Sequence, residues 1–312
     1  MTNFQVYKKT IAFSFLMFAI ELGAFILLAG LTVGGFFMFQ ALKANGIVGL
    51  IIGLVIGVIA AALIQVFITN RVKAAQIGMM AIGVTDGNLP EDTFHEGFAQ
   101  LKGSFGRITA FYFITNAIKG IFRQLGRTIN RVGTVLGGQT GNTVTSVIDS
   151  AVQTLIAYLC DCCLGWVLYH KNQNMVISAC EGAVIFFKHG KTLIRNIGRI
   201  FGMGALSFIL IGGAIFGLSF LIFYLNPNTF SLLAAEFSME DTTLFSIIAA
   251  AVIAIILWSM IHSVVGRPFI LVGVLRNFMA AGLKDKPTEA DLVALDSKSP
   301  KFAKLRARAA SN

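Results

Sequence analysis

Long apolar runs, separated by short basic or turn-forming stretches, set the pattern of this chain. The first lies within Ile11 to Leu42 and holds one charge, Glu21. The second is Ile47 to Thr69, a later one runs from about Ile200 to Leu225, and the last clear one is Leu244 to Val264. These runs are continuous rather than alternating, and apolar runs beyond about 18 residues read as transmembrane helices. A bilayer offers backbone N–H and C=O groups no water, so such segments close their hydrogen bonds internally. The predicted fold is all-α: a polytopic transmembrane helical bundle of four to six spans, with basic amphipathic helices at the interface or lining a pore.

The first run would extend roughly 50 Å as a helix, longer than the ~30 Å hydrocarbon core, so it must tilt or project. Lys43 to Gly46 then turns the chain. The unit 1–69 is therefore predicted as a transmembrane hairpin. Gly49, Gly53 and Gly57 recur every four residues on one face, a spacing that lets helix backbones approach in lipid. The short link favours a contact with the first span; a homo-oligomer contact is the alternative. Gly213 and Gly217 suggest a similar packing face later.

Residues 70–106 read as a cytoplasmic amphipathic connector, the most soluble part of the chain. Arg71 and Lys73 begin a short helix, and Thr85 to Pro90 is rich in turn formers. A new helix is predicted after Pro90, with Glu91 and Asp92 in its first turn, where the dipole favours carboxylates. His95-Glu96 lacks the second histidine of a zinc-protease helix.

Residues 107–199 form a predicted central hairpin followed by an amphipathic helix. Lys119, Arg123, Arg127 and Arg131 make a basic ladder with apolar residues opposite. Such a helix lies in the headgroup region or crosses the bilayer along an aqueous path. A lipid-exposed cation at mid-membrane costs about 2.5–3.5 kcal/mol, so crossing needs a cavity or paired carboxylates. Asp149 and Asp161 lie on the next helix, Thr143 to Tyr169. A hairpin centred near Thr140 would level Arg131 with Asp149 and Lys119 with Asp161. Twelve residues at about 100° each return about 120° from the start, so one straight seam cannot hold both pairs. Lys188, Lys191, Arg195 and Arg199 again lie three or four apart, as on a helix along the cytoplasmic interface.

Residues 200–283 form the C-terminal transmembrane hairpin, in which Gly266-Arg267-Pro268 is predicted to break or kink the helix. Phe269 to Ala281 would be a shorter apolar helix at the membrane edge. The charged tail, 284–312, is expected in the cytoplasm and partly mobile.

Composition sharpens this. The chain of 312 residues is 56% hydrophobic and 13% charged, about half the ~25% charge of soluble domains. A net charge of +10 does not point to nucleic acid, because the cations flank apolar spans. It points to anionic membrane lipids as partners and to the positive-inside rule. Asn70 to Asn142 and His170 to Arg199 are rich in Lys and Arg, whereas Asn226 to Thr243 has neither and carries Glu236, Glu240 and Asp241. The first two segments therefore belong in the cytoplasm with both termini, at the plasma (inner) membrane. A single crossing by Thr143–Tyr169 would separate them, so five spans fit worst and six are preferred to four.

Candidate chemistry is sparse. Cys160, Cys162, Cys163 and Cys180 are too few and too clustered for a secreted disulfide framework and have no second pair at zinc spacing; packing is their expected role. No nucleotide loop, zinc signature or hydrolase arrangement is present, so no enzyme, cofactor or metal is expected. The ionisable residues at span depth, Glu21, Asp149, Asp161, His262 and Arg267, are of the kind that face a bundle interior or aqueous path. They point to a transporter or channel for a small solute or ion. An oligomeric scaffold gripping lipid through its basic helices is the alternative.

In the last third, Asn174-Met-Val-Ile-Ser-Ala-Cys-Glu-Gly182, Leu193-Ile-Arg-Asn-Ile-Gly-Arg199, Ile261-His-Ser-Val-Val-Gly266 and Leu295-Asp-Ser-Lys-Ser-Pro-Lys301 follow one another. This order resembles the C-terminal part of the choline-transporter-like family of multispan membrane proteins. The resemblance implies transport and carries over no substrate-binding residue.

Overall fold

The computed structural model describes residues 1–102, 115, 118–121, 142–194, 202, 204–226, 229 and 242–310. Among them there is no strand. Helix α1 is Asn3–Ala41, and Lys43, at φ 55, reverses the chain. Helix α2, Gly46–Ile64, is capped by the Asn45 side chain, which accepts from the Ile47 N–H at 2.8 Å. A π turn, Gln65–Thr69, joins it without interruption to α3, Asn70–Thr85. Then come α4 (Thr93–Leu101), α5 (Asn142–Tyr169), α6 (Met175–Ile194) and α7 (Gly204–Leu225), the last containing a π turn at Phe208–Gly212. Helix α8, Thr242–Ile261, passes through a third π turn, His262–Gly266, into α9, Arg267–Lys284. Helices α10 (Glu289–Lys298) and α11 (Pro300–Ala310) end the chain.

Among the described residues, four helical stretches are long and apolar enough to cross a membrane: Asn3–Ala41, Gly46–Thr85, Gly204–Leu225 and Thr243–Lys284. These are the spans of an integral, all-α membrane protein. The chain divides into two units. One comprises Met1–Phe13, Lys73–Phe201 and Pro268–Asn312; the other, Ser14–Val72 and Gly202–Arg267.

The second unit is apolar on its outside. Ile51, Val55, Ile59, Leu210, Ile222, Ile248 and Ile255 are all more than half exposed, a surface suited to hydrocarbon and not to water. Its stretches of the four helices hold about 22 to 28 residues each, close to the length that a bilayer takes. Inside, α1 and α2 touch backbone to backbone. A methyl group on Gly49 would stand 2.2 Å from the Gly35 carbonyl oxygen, and one on Gly53 would stand 2.1 Å from that of Leu31. Gly57 faces Leu28. The glycine face is thus filled by the first span, as the short link requires.

The first unit is built the other way, with an apolar centre. From Tyr158 to Val167 every residue of α5 is buried, as for a helix in a protein core. Trp166 meets Phe278 of α9 edge-on at 6.5 Å, and a methyl on Gly165 would reach Leu275 at 2.8 Å and Ile77 of α3 at 3.4 Å. Phe13 of α1 packs against Phe94 and Phe98 of α4.

Several expectations are corrected here. The chain does not leave its helix at Asn70: the π turn carries it on, and Ala74 to Ala81 are buried rather than solvated. Asp92 is the N-cap of α4, accepting from the His95 N–H at 2.9 Å, instead of lying within the first turn. Gly266-Arg267-Pro268 neither breaks nor ends the last span, because a π turn takes up the proline. Helix α9, expected as a shorter apolar helix from Phe269, runs on from α8 and buries Ile270, Leu271, Val274, Leu275 and Phe278 in the unit's core. Helix α6, expected along the cytoplasmic interface, turns Ala179, Cys180, Val184, Ile185 and Phe186 inward. The tail is folded. Thr288 and Asp291 form a capping box, and Leu292, Leu295, Phe302 and Leu305 are buried. Of helix α5, a crossing in the preferred six-span scheme, Gln153–Tyr169 is a shorter apolar helix among the described residues, and the basic half of that hairpin lies largely outside them.

Candidate functional site

Within the second unit, polar side chains gather where α8 passes through its π turn. Pro268 has no N–H, and its ring would clash with the carbonyl four residues back. The helix widens just ahead of it, and the Arg267 N–H reaches back five residues to the His262 carbonyl. The turn presents His262 and Ser263 as neighbours on the widened coil.

Ser263 Oγ lies 3.0 Å from Glu21 Oε2 of α1 and 3.0 Å from the Met260 carbonyl. His262 Nδ1 lies 3.3 Å from Ser207 Oγ of α7. Ser207 donates to the Gly204 carbonyl at 2.8 Å and accepts from the Trp258 indole N–H at 3.3 Å. The Trp258 and His262 rings lie nearly parallel, 22° apart, with centroids at 5.4 Å. Two glycines make room for the imidazole: a methyl on Gly266 would stand 2.9 Å from Nδ1, and one on Gly204 would stand 3.8 Å from Cε1. Arg267 acts electrostatically on the same ring. A carboxylate, an imidazole and a guanidinium thus lie within the apolar helical stretches of the second unit, two of them in contact with serine hydroxyls. Such a set can take up a proton or bind a small polar species.

The other predicted residues sit elsewhere. Asp161 is buried in the first unit and pairs with Lys73 at 2.7 Å, not with Lys119. Lys119 is half-buried in the helical turn 118–121. Asp149 belongs to α5, but its side chain, like that of Lys191 on α6, lies outside the described residues, as do Arg123, Arg127, Arg131, Arg195 and Arg199. Lys188, expected as a lipid-facing cation, has carboxylate partners within the chain. It bridges Asp285 at 2.8 Å and Asp291 at 3.1 Å. The Asp285 hydrogen bond, with help from Asp291, raises the Lys188 ammonium above its ordinary range. Hydrogen bonds from Thr288, and then Lys188, hold Asp291 below the usual carboxylate range. At Gly213 and Gly217, expected as packing positions, a methyl would meet nothing within 4 Å among the described residues. Gly212 faces Trp258 instead.

All four cysteines are free and buried. Burial, then the neighbouring Asp161 and thiols, pushes Cys162 up, and burial raises Cys180 to about 12. Among the described residues no three His, Cys, Asp or Glu side chains stand together as a metal site. Sequence reasoning missed Ser207, Trp258 and Ser263. Their signal was a hydroxyl or indole within an apolar span, but which of several such groups meet is a matter of helix register. No protein family, curated protein or solved structure matches this chain.

Proposed function

We propose that this integral membrane protein moves a small solute or ion across the membrane, using the polar cluster around the last π turn. The observation that carries this reading is the pairing of Glu21 with Ser263 beside the pairing of His262 with Ser207, both within the apolar helical stretches. Titratable groups inside a membrane are costly and mark pathways, and π turns recur at functional positions. The resemblance of the last third to the choline-transporter-like family supports transport. Positive flanks support a plasma (inner) membrane setting with both termini in the cytoplasm.

The test is flux in proteoliposomes loaded with small cations, anions or amines. Transport by the wild type, reduced at least tenfold in Glu21→Gln and in His262→Gln, supports the reading. Absence of flux for every class overturns it. A second reading, an oligomeric scaffold that grips anionic lipid, draws on the net charge of +10. Neutralising Arg123, Arg127 and Arg131 would then abolish association with anionic vesicles.

A further inference from the structure

Ser207 has one hydroxyl proton and three polar neighbours. The Gly204 carbonyl, at 2.8 Å, is the nearer acceptor and is the one that the hydroxyl proton favours. The Trp258 indole N–H can only donate, and it takes one lone pair of Ser207 Oγ. The remaining lone pair faces His262 Nδ1 at 3.3 Å. With the hydroxyl proton on the nearer Gly204 carbonyl, two lone pairs would otherwise face each other, so this arrangement favours the hydrogen on Nδ1. Neutral His262 thereby favours the Nδ1–H tautomer, with a basic lone pair on Nε2. Gly266 and Gly204 leave the ring free to hold this pose.

We propose that His262 is the proton-binding group of this site: it takes a proton from water on Nε2, becomes an imidazolium while Nδ1–H still donates to Ser207, and returns that proton on the other side, coupling solute movement to a proton gradient. The bond formed and broken is Nε2–H, and no other reactant is needed. Of the charged groups, Arg267, on the continuation of its own helix, acts on the ring, while Glu21 of α1 meets the adjacent Ser263. Helix α7 brings Ser207 and Gly204. The coupling rests on the transport reading; the tautomer rests on the geometry alone.

The experiment is nitrogen NMR of full-length protein carrying ¹⁵N-histidine in lipid bilayers. The four histidines are assigned by the signal missing in His262→Gln. The expected spectrum at alkaline pH has His262 protonated on Nδ1 and bare on Nε2, with Nε2 gaining its proton on acidification. Ser207→Ala removes the acceptor, and Gly266→Ala displaces the ring; both restore the Nε2–H form that free imidazole side chains prefer. An Nε2–H tautomer in the wild type, or no protonation of Nε2 between about pH 5 and 9, overturns the proposal. In proteoliposomes, the imposed pH gradient should drive uptake, and His262→Gln should abolish that drive. Flux that ignores the gradient overturns the coupling. Nδ1–H with no flux at all sinks the transport reading and leaves the proton site standing.

Discussion

Lys73 Nζ stands 2.7 Å from Asp161 Oδ1, joining α3 to α5 inside the first unit. The aspartate is nearly sealed, with 7% of its side chain exposed, and the lysine keeps 23%. Removing one member takes a charge partner from the other, and breaking a buried pair costs up to about 3–5 kcal/mol. Asp161→Asn and Lys73→Met should each lower the unfolding midpoint in detergent. The double variant should lose less than the sum of the two, and strict additivity would show that the charges are not coupled.

The contact between α1 and α2 makes a sharper mutational contrast. Gly49→Ala and Gly53→Ala each place a methyl about 2 Å from a carbonyl oxygen of the other helix, so the helices must part. A loss of about 1–3 kcal/mol is expected. Gly213→Ala and Gly217→Ala meet open space and should be neutral or gain up to about 1 kcal/mol from helix propensity. Titration with a denaturing detergent reads both pairs.

The clasp of Lys188 by Asp285 and Asp291 should open at both ends of the pH scale. Asp291 is depressed, so its contribution is present above the ordinary 3.8 and fades as pH falls through its folded value. Lys188 is raised, so its contribution is full below 10.5 and fades as pH rises through its folded value. Limited proteolysis should release α10 and α11 in acid or strong alkali and spare them between. Asp291→Ala, which also breaks the capping box, should release them at neutral pH.

Thiol labelling tests the cysteine cluster. Cys160, Cys162, Cys163 and Cys180 are buried, and raised thiols hold little thiolate at neutral pH. Maleimide should leave the folded protein unmodified and label all four after denaturation. Rapid labelling of Cys162 in the native state would contradict the packing of α5.

The membrane helices were legible in the sequence because hydropathy alone reports them. The Gly49–Gly57 face was legible too, since Lys43 to Gly46 is too short to let α1 and α2 part. What the sequence hid was where helices do not stop. Asn70-Arg71 and Arg267-Pro268 look like boundaries, yet a π turn at each absorbs the polar group or the proline and the helix continues. Asp161 was rightly read as a residue needing a cation, but a local hairpin pointed to Lys119 while the fold supplied Lys73 from a distant segment. Lys188 looked lipid-facing because its partners, Asp285 and Asp291, lie in a tail that reads as loose. For the candidate site, Glu21 and His262 stood out as ionisable groups in apolar runs, whereas Ser207 and Ser263 did not.

Each π turn holds one residue more than an α-helical path would need. Dropping Val265 would let His262–Gly266 close to an ordinary coil while the helix on either side kept its facing. The same cut at Ala251, within regular helix, would rotate everything beyond it by about 100°. Chain length at the π turns is therefore a free variable for the scaffold and a fixed one for the site. A shortened chain could still fold, but it would lose the widened coil that sets the His262 ring against Ser207.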